Sequence, residues 1–486
     1  MPEDQNSNES LKKKTVKGVV WSAIERFSAQ AITFLVTIVM ARILTPSDYG
    51  LVGMVFIFIY IAQSLVESGF LQALIRKQDR NETDNSTAFF FNIVVGFAIY
   101  AILWFGAPLI ADFYDEPILV DITRWICIAI IFNSIVVVQR AIFTIELNFK
   151  TQAKASITSS IVSGVVGIYM AYSSFGVWSI VAFQLVNIGL NSILLWIFSK
   201  WRPSWIFSWT SFKELFGFGF KLAVSGLLHT LYISGYNLVI GKVFKAADLG
   251  FYTRAEQFAR FLSQNVGLIL QRVTYPVLCK FQNDREGLAA AFIKMLRLSS
   301  FLIFALMMGM MGIAKPLVFV LLGEKWLFSA DLLVILCFAF MWYPVNSLNL
   351  NVLIVKGRSD FYLKLEIVKK IIFIAILAAM IPLGLIAMCW GLVICALLEI
   401  IINSYYTNRF IGISTWNQIF NILPSFLYAA SMGAVVWIST NLFDNYYVQF
   451  FVGISVGVIY FFIVTKITHS SDLREMMGLV KLKKAL

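Results

Sequence analysis

Five cations interrupt stretches of sequence that are otherwise apolar: Arg26, Lys221, Arg254, Arg260 and Arg272. A charge at bilayer depth is costly unless it faces protein or water, so each is a candidate for function. Arginine presents a planar fork of donors that can grip two phosphate oxygens at once, and lysine adds a point charge. Together they suit an anionic headgroup such as a pyrophosphate. Gln30, Gln264, Tyr232 and Tyr236 stand among them and offer hydrogen bonds and stacking surfaces to sugars. Glu67 and Glu399 are isolated carboxylates in apolar surroundings, suited to a coupling proton or Na+. Each residue also has a plainer reading. Arg26 and Arg272 stand close enough to a span end to snorkel, Arg26 has Glu25 and Glu67 as candidate partners, and His229 needs only a hydrogen bond.

Catalytic chemistry has no comparable signature. There is no Gly-rich phosphate loop ending in Gly-Lys-Ser/Thr, no His/Cys/Asp cluster with metal spacing and no hydrolase nucleophile motif. The expectation is a non-enzyme with no metal and no cofactor. Cys127, Cys279, Cys337, Cys389 and Cys395 read as small apolar packing residues.

The elements that must position these residues are membrane helices. Of 486 residues, 59% are hydrophobic and 14% charged, with mean hydropathy +0.80, too little charge for a water-compatible surface. Apolar runs of about 20 residues, enough to cross a bilayer core, recur along the chain. They predict about fourteen spans, near 18–41, 51–72, 88–111, 119–141, 153–173, 176–198, 215–241, 254–278, 297–322, 330–354, 365–384, 386–406, 419–441 and 447–467. The first run reads as a retained helix and not a signal peptide. At 100° per residue, Ser22, Arg26, Gln30, Thr33 and Thr37 share one face of the first span. Tyr60, Ser64 and Glu67 share a face of the second, Lys221, Ser225, His229, Tyr232 and Tyr236 a side of the seventh, and Glu256, Gln257, Arg260, Gln264 and Gln271 a stripe on the eighth. Asp121 and Arg124 are spaced as an i,i+3 pair.

The net charge of +12 falls in short loops, which argues against nucleic acid as a partner. With a cytoplasmic N-terminus the basic residues concentrate in the inner loops, so the positive-inside rule places both termini in the cytoplasm. A repeat also appears. Arg42, Asp48 and Gly50 recur as Lys242, Asp248 and Gly250, shifted by 200 positions with an even number of spans between. Two halves in the same orientation are expected, related by an axis along the membrane normal. This gives an N-lobe of 1–200, a C-lobe of 211–410, two additional spans over 417–467 and a cytoplasmic tail of 468–486. The Trp-rich link from Lys200 to Trp209 suits the headgroup region.

Three segments resemble a known family: Val19–Arg26, Ala41–Val52, and Glu67–Phe70 with Ala73–Arg76. They are similar to polysaccharide exporters, the O-antigen and colanic-acid type flippases of the multidrug/oligosaccharidyl-lipid/polysaccharide superfamily. The resemblance is densest over 18–80. It implies an all-α fold with two six-helix bundles in a V, opening alternately inward and outward around a cationic lumen. It further implies undecaprenyl-pyrophosphate-linked oligosaccharide as substrate, moved to the periplasmic leaflet of the bacterial inner membrane. The remaining expected partners are membrane lipids, a proton or Na+ as coupling ion, and polysaccharide polymerase machinery. Two alternatives stand beside this reading: a cation-coupled, drug-type exporter of the same fold, and a non-transporting scaffold of glycan assembly.

Overall fold

The computed structural model describes residues 2–67 and 69–476, without the side chains of 2–17, 19, 67, 218, 221, 222, 225, 228, 229, 232, 233, 268–273 and 359. Among the described residues there is no β-strand. The helices in order are α1 (Pro2–Ile43), α2 (Pro46–Glu67), α3 (Phe70–Arg76), α4 (Glu82–Tyr114), α5 (Leu119–Ile126), α6 (Ile128–Ile145), α7 (Phe149–Tyr172), α8 (Val177–Phe198) and α9 (Trp209–Val243). They continue as α10 (Ala246–Lys280), α11 (Arg285–Gly312), α12 (Ala314–Leu322), α13 (Leu327–Phe340), α14 (Tyr343–Val355), α15 (Ser359–Met380), α16 (Leu385–Ile411), α17 (Thr415–Thr440) and α18 (Tyr446–Ile467).

Helices stand at all the predicted spans, and among the described residues 11 stretches are long and apolar enough to cross a membrane. An all-helical membrane fold follows, because hydrocarbon offers no partner to a backbone group left unpaired. The spans at 119–141 and 330–354 are broken mid-way, the first at Cys127 between α5 and α6, the second at Met341 and Trp342 between α13 and α14. Helix starts are closed by short polar side chains. Asn81 and Asp84 form a reciprocal capping box at α4, and Ser208, Asp284 and Ser414 each accept a backbone N–H at the heads of α9, α11 and α17.

The chain divides into two compact units, 1–250 and 251–486. In the first unit α1 lies on α7 and α7 on α8. Small residues permit this closeness: Val36 and Met40 of α1 sit over Gly164 and Gly167 of α7, where a Cβ would meet them at 2.5 and 3.1 Å. Lipid supplies no hydrophobic drive between helices, so such close packing carries the association.

The link from 199 to 208 is docked on the first turns of α4. Trp201 Nε1 donates to both Glu82 carboxylate oxygens at 3.0 and 2.8 Å, while the Ser204 and Ser208 N–H groups donate to Ser86 Oγ and Thr87 Oγ1 at 3.0 and 3.1 Å. Trp205 stacks on Phe90 and is 93% exposed, as suits a ring held at a headgroup boundary.

In the second unit α17 packs along α11 and against α18, and α16 is flanked by α13, α14 and α15. The tail does not trail free over its whole length. Residues 471–476 are helical, and buried Asp472 accepts from Arg297 on α11 at 2.7 Å and from Ser425 Oγ on α17 at 3.2 Å. The expected Asp121–Arg124 pair is replaced by another arrangement. Arg124 lies over the Trp104 ring on α4, 5.0 Å from its centroid, and its Nε donates to the Trp104 carbonyl at 3.5 Å, so ring and carbonyl together take the guanidinium.

Candidate functional site

The repeat seen in sequence has a structural meaning at its Asp and Gly positions. Helices α1 and α9 end at Ile43 and Val243, and α2 and α10 begin at Pro46 and Ala246, each pair 200 positions apart. Asp48 Oδ2 accepts the Thr45 N–H at 2.8 Å, and Asp248 Oδ2 accepts the Lys245 N–H at 3.2 Å. Both carboxylates therefore close the same two-residue joint and complement the positive end of their helix. Arg42 and Lys242 occupy the last turns of α1 and α9, and Lys242 pairs with Asp115 at 2.9 Å.

In the first unit, Arg26 projects from α1 with an exposed side chain, roughly 80° around the helix from the Val36 face that meets α7. Gln30, one turn on, is half-buried on the same stripe. Glu25 faces the charge of Arg140 on α6, whose guanidinium donates to Asn133 Oδ1 at 3.3 Å. Tyr236 on α9 is buried. The side chains of Glu67, Lys221 and Tyr232 lie outside the described residues.

In the second unit, Arg260 Nε donates to Glu256 Oε1 at 2.8 Å, one turn back on α10, and its guanidinium lies over Phe340 at 4.7 Å. Tyr252 also donates to Glu256, at 3.4 Å. Arg254 is half-buried and Gln264 exposed on the same helix, and the side chain of Arg272 is not among those described. The stripe read from spacing is thus real at Glu256 and Arg260, and Arg260 is held in place by an acid and a ring. Glu399, half-buried on α16, senses the charges of Lys369 and Glu366 on α15. Lys369 is buried and bonded to Glu366.

Arg140 and Lys369 stand near the ends of predicted spans, where sequence alone counts them among the inner-loop cations. Arg140 belongs to α6 and Lys369 to α15, each facing an acid on a neighbouring or the same helix. The Glu366–Lys369 spacing of three was the available signal. No group of three or more metal-ligating side chains occurs among the described residues.

The model of the family described as "Polysaccharide biosynthesis protein" matches residues 39–331. The chain belongs to that family. The match spans the repeat joints, α10 with Glu256 and Arg260, and the helices between. Over 434 residues the chain is 25% identical to the teichuronic acid biosynthesis protein TuaB of Bacillus subtilis, covering 88% of this chain and 89% of that protein. It is 24% identical to the lipopolysaccharide biosynthesis protein WzxC of Escherichia coli, with 88% and 89% covered. Among solved structures, that of lipid II flippase MurJ in an inward closed conformation superposes with a TM-score of 0.75 at 14% identity, covering 94% of this chain and all of that one. A Klebsiella pneumoniae relative, 24% identical over 97% of this chain and 99% of that protein, is described as an uncharacterized membrane protein in the cps region. The many apolar helices of this chain make it a multi-pass membrane protein as well.

Proposed function

We propose that this protein is a flippase that carries undecaprenyl-pyrophosphate-linked oligosaccharide from the cytoplasmic to the periplasmic leaflet by alternating access, in the assembly of a surface polysaccharide. The observation that carries this reading is the placement of Arg26. An exposed guanidinium within an apolar span, on a stripe continued by Gln30, has its natural partner in a phosphate that arrives through the membrane. Family membership and near full-length similarity to proteins of teichuronic acid and lipopolysaccharide biosynthesis support the cargo class.

In this reading Arg26, Lys221 and Arg260 take the headgroup, with Arg254, Arg272, Gln30, Gln264, Tyr232 and Tyr236 lining the path. Arg260, pinned by Glu256 and Phe340, presents a preorganised donor face. The Glu366–Lys369–Glu399 cluster holds two carboxylates against one ammonium, so one acid is left for a coupling proton or Na+, with Glu67 as a second carboxylate at span depth. The protein sits in the bacterial inner membrane with both termini cytoplasmic, and delivers its cargo to the polymerase machinery.

Arg26→Ala and Arg260→Ala are each expected to abolish surface polysaccharide while membrane levels stay normal. Full polysaccharide in both variants would remove these residues from the path. In a background without the five native cysteines, Gln78→Cys should react only from the cytoplasmic side and Asp444→Cys only from the periplasmic side; the reverse pattern would overturn the orientation.

A further inference from the structure

The start of α15 and the end of α16 meet around one ring. Phe361 packs on Tyr406 and Phe410 of α16, with ring centroids 4.7 and 6.0 Å away. Arg358, Lys364 and Arg409 surround it. The Arg358 guanidinium lies 4.0 Å from the Phe361 centroid, the Lys364 ammonium 5.7 Å and the Arg409 guanidinium 6.0 Å. The carboxylate beside them is that of Asp360, whose two oxygens accept from Arg358 Nε and Nη2 at 2.9 and 2.7 Å. Glu366, further along α15, is bonded to Lys369 instead. Lys364 and Arg409 are exposed and make no ion pair among the described residues. All of these residues belong to the second compact unit.

This is more than the spread of cations expected at a membrane surface. Long basic side chains that only reach for water separate from one another, whereas these converge on one ring. The negative face of the ring attracts each cation but leaves its charge uncompensated. The positive charge also has an apolar continuation. Lys364, Val368 and Ile371 follow at spacings of four and three on α15, and Arg409, Tyr405 and Ile401 at spacings of four on α16, so each set forms one stripe. All six side chains are exposed. Exposed apolar side chains on a helix of a membrane protein lie against acyl chains. Each stripe thus runs from hydrocarbon to a cation, and the two cations meet at Phe361.

We propose that Arg358, Lys364 and Arg409 hold the phosphate of an anionic phospholipid over Phe361, with its two acyl chains laid along the two stripes. A phosphodiester matches guanidinium forks and an ammonium, and paired chains match paired stripes. A headgroup with no cation of its own, such as phosphatidylglycerol, gains from this cluster, whereas the choline of phosphatidylcholine is repelled by it. None of these residues is assigned to the cargo, so the site stands whatever the cargo is. In the orientation proposed above it faces the cytoplasmic leaflet.

The test is lipid binding by the purified protein in detergent, read by native mass spectrometry with dioleoyl phosphatidylglycerol and dioleoyl phosphatidylcholine as probes. Wild type is expected to bind the first about tenfold more tightly than the second, and Lys364→Gln with Arg409→Gln to lose that preference. Lys200→Gln with Lys213→Gln removes the same charge from other exposed positions and should keep it. No preference in wild type, or equal loss in both double variants, overturns the site. Lys364→Arg with Arg409→Lys retains both charges and so separates lost charge from a disturbed fold. It should keep the preference, and losing it there also overturns the site. Inorganic pyrophosphate and a polyglutamate peptide carry charge without acyl chains, and neither should displace phosphatidylglycerol at equal concentration. Displacement by the first would mark a free-phosphate site and by the second a protein-docking surface, and either result overturns the assignment.

Discussion

Asn349 on α14 and Gln418 on α17 exchange both amide hydrogen bonds, Nδ2 to Oε1 at 2.8 Å and Nε2 to Oδ1 at 3.0 Å, with both side chains fully buried. A reciprocal pair of this kind ties the first of the two additional spans to the body of the second unit. Gln418→Leu leaves the Asn349 amide unsatisfied apart from its bond to the Val345 carbonyl, and is expected to cost about 1–3 kcal/mol. Asn349→Leu with Gln418→Leu removes both partners and should recover much of that loss. Thermal unfolding in detergent checks the order: wild type, double variant, then single variant.

The tail contact at Asp472 predicts a local effect. Asp472→Leu strips Arg297 and Ser425 of a buried carboxylate, and Glu475 pairs alongside with Lys294 at 3.5 Å. Lys294, Arg297, Asp472 and Glu475 line a cavity of about 470 Å3 together with Asn417 and Ile413. Undocking of 471–476 should appear as faster proteolysis near the C-terminus and a lower Tm, while truncation after residue 469 should reproduce the loss.

Lys77 gives a pH dependence outside the spans. Its ammonium donates to Glu214 at 2.8 Å and to Asp84 at 3.1 Å, joining the end of α3 to the starts of α9 and α4. The Glu214 hydrogen bond, with Asp84, holds its pKa above the ordinary lysine value. The folded state therefore binds this proton more tightly than the unfolded chain does. The contribution is complete below the ordinary lysine range and is lost as rising alkalinity passes the raised value. Tm measured from pH 8 to 11.5 should fall at the alkaline end in wild type, and that part of the fall should be absent in Lys77→Met.

Lys369 and Glu399 should separate stability from coupling. Lys369→Met leaves Glu366 and Glu399 without their shared cation in a buried site and is expected to destabilise by about 3 kcal/mol. Glu399→Gln keeps the Glu366–Lys369 bond and removes one titrating group. Export by that variant should be slowed and should lose its dependence on the ion gradient, measured as polysaccharide output with and without an uncoupler. An unchanged uncoupler response would take Glu399 out of the coupling reaction.

Much was determined by the order of residues alone. The spans, the repeat of 200 and the Glu256–Arg260 stripe follow from local periodicity, because a helix in hydrocarbon must satisfy its own backbone and so shows its 3.6-residue pattern directly. The tertiary structure decided which faces meet. That Arg140 answers Glu25, that Lys369 is buried beside two acids, that Asp472 is enclosed and that Gly50 lies against the Ala246 backbone and Gly250 against that of Pro46 all depend on helix rotation and spacing. In lipid those are set by the fit of small residues and polar partners between helices, not by a hydrophobic pattern, and that fit is written in pairs of residues far apart in the chain.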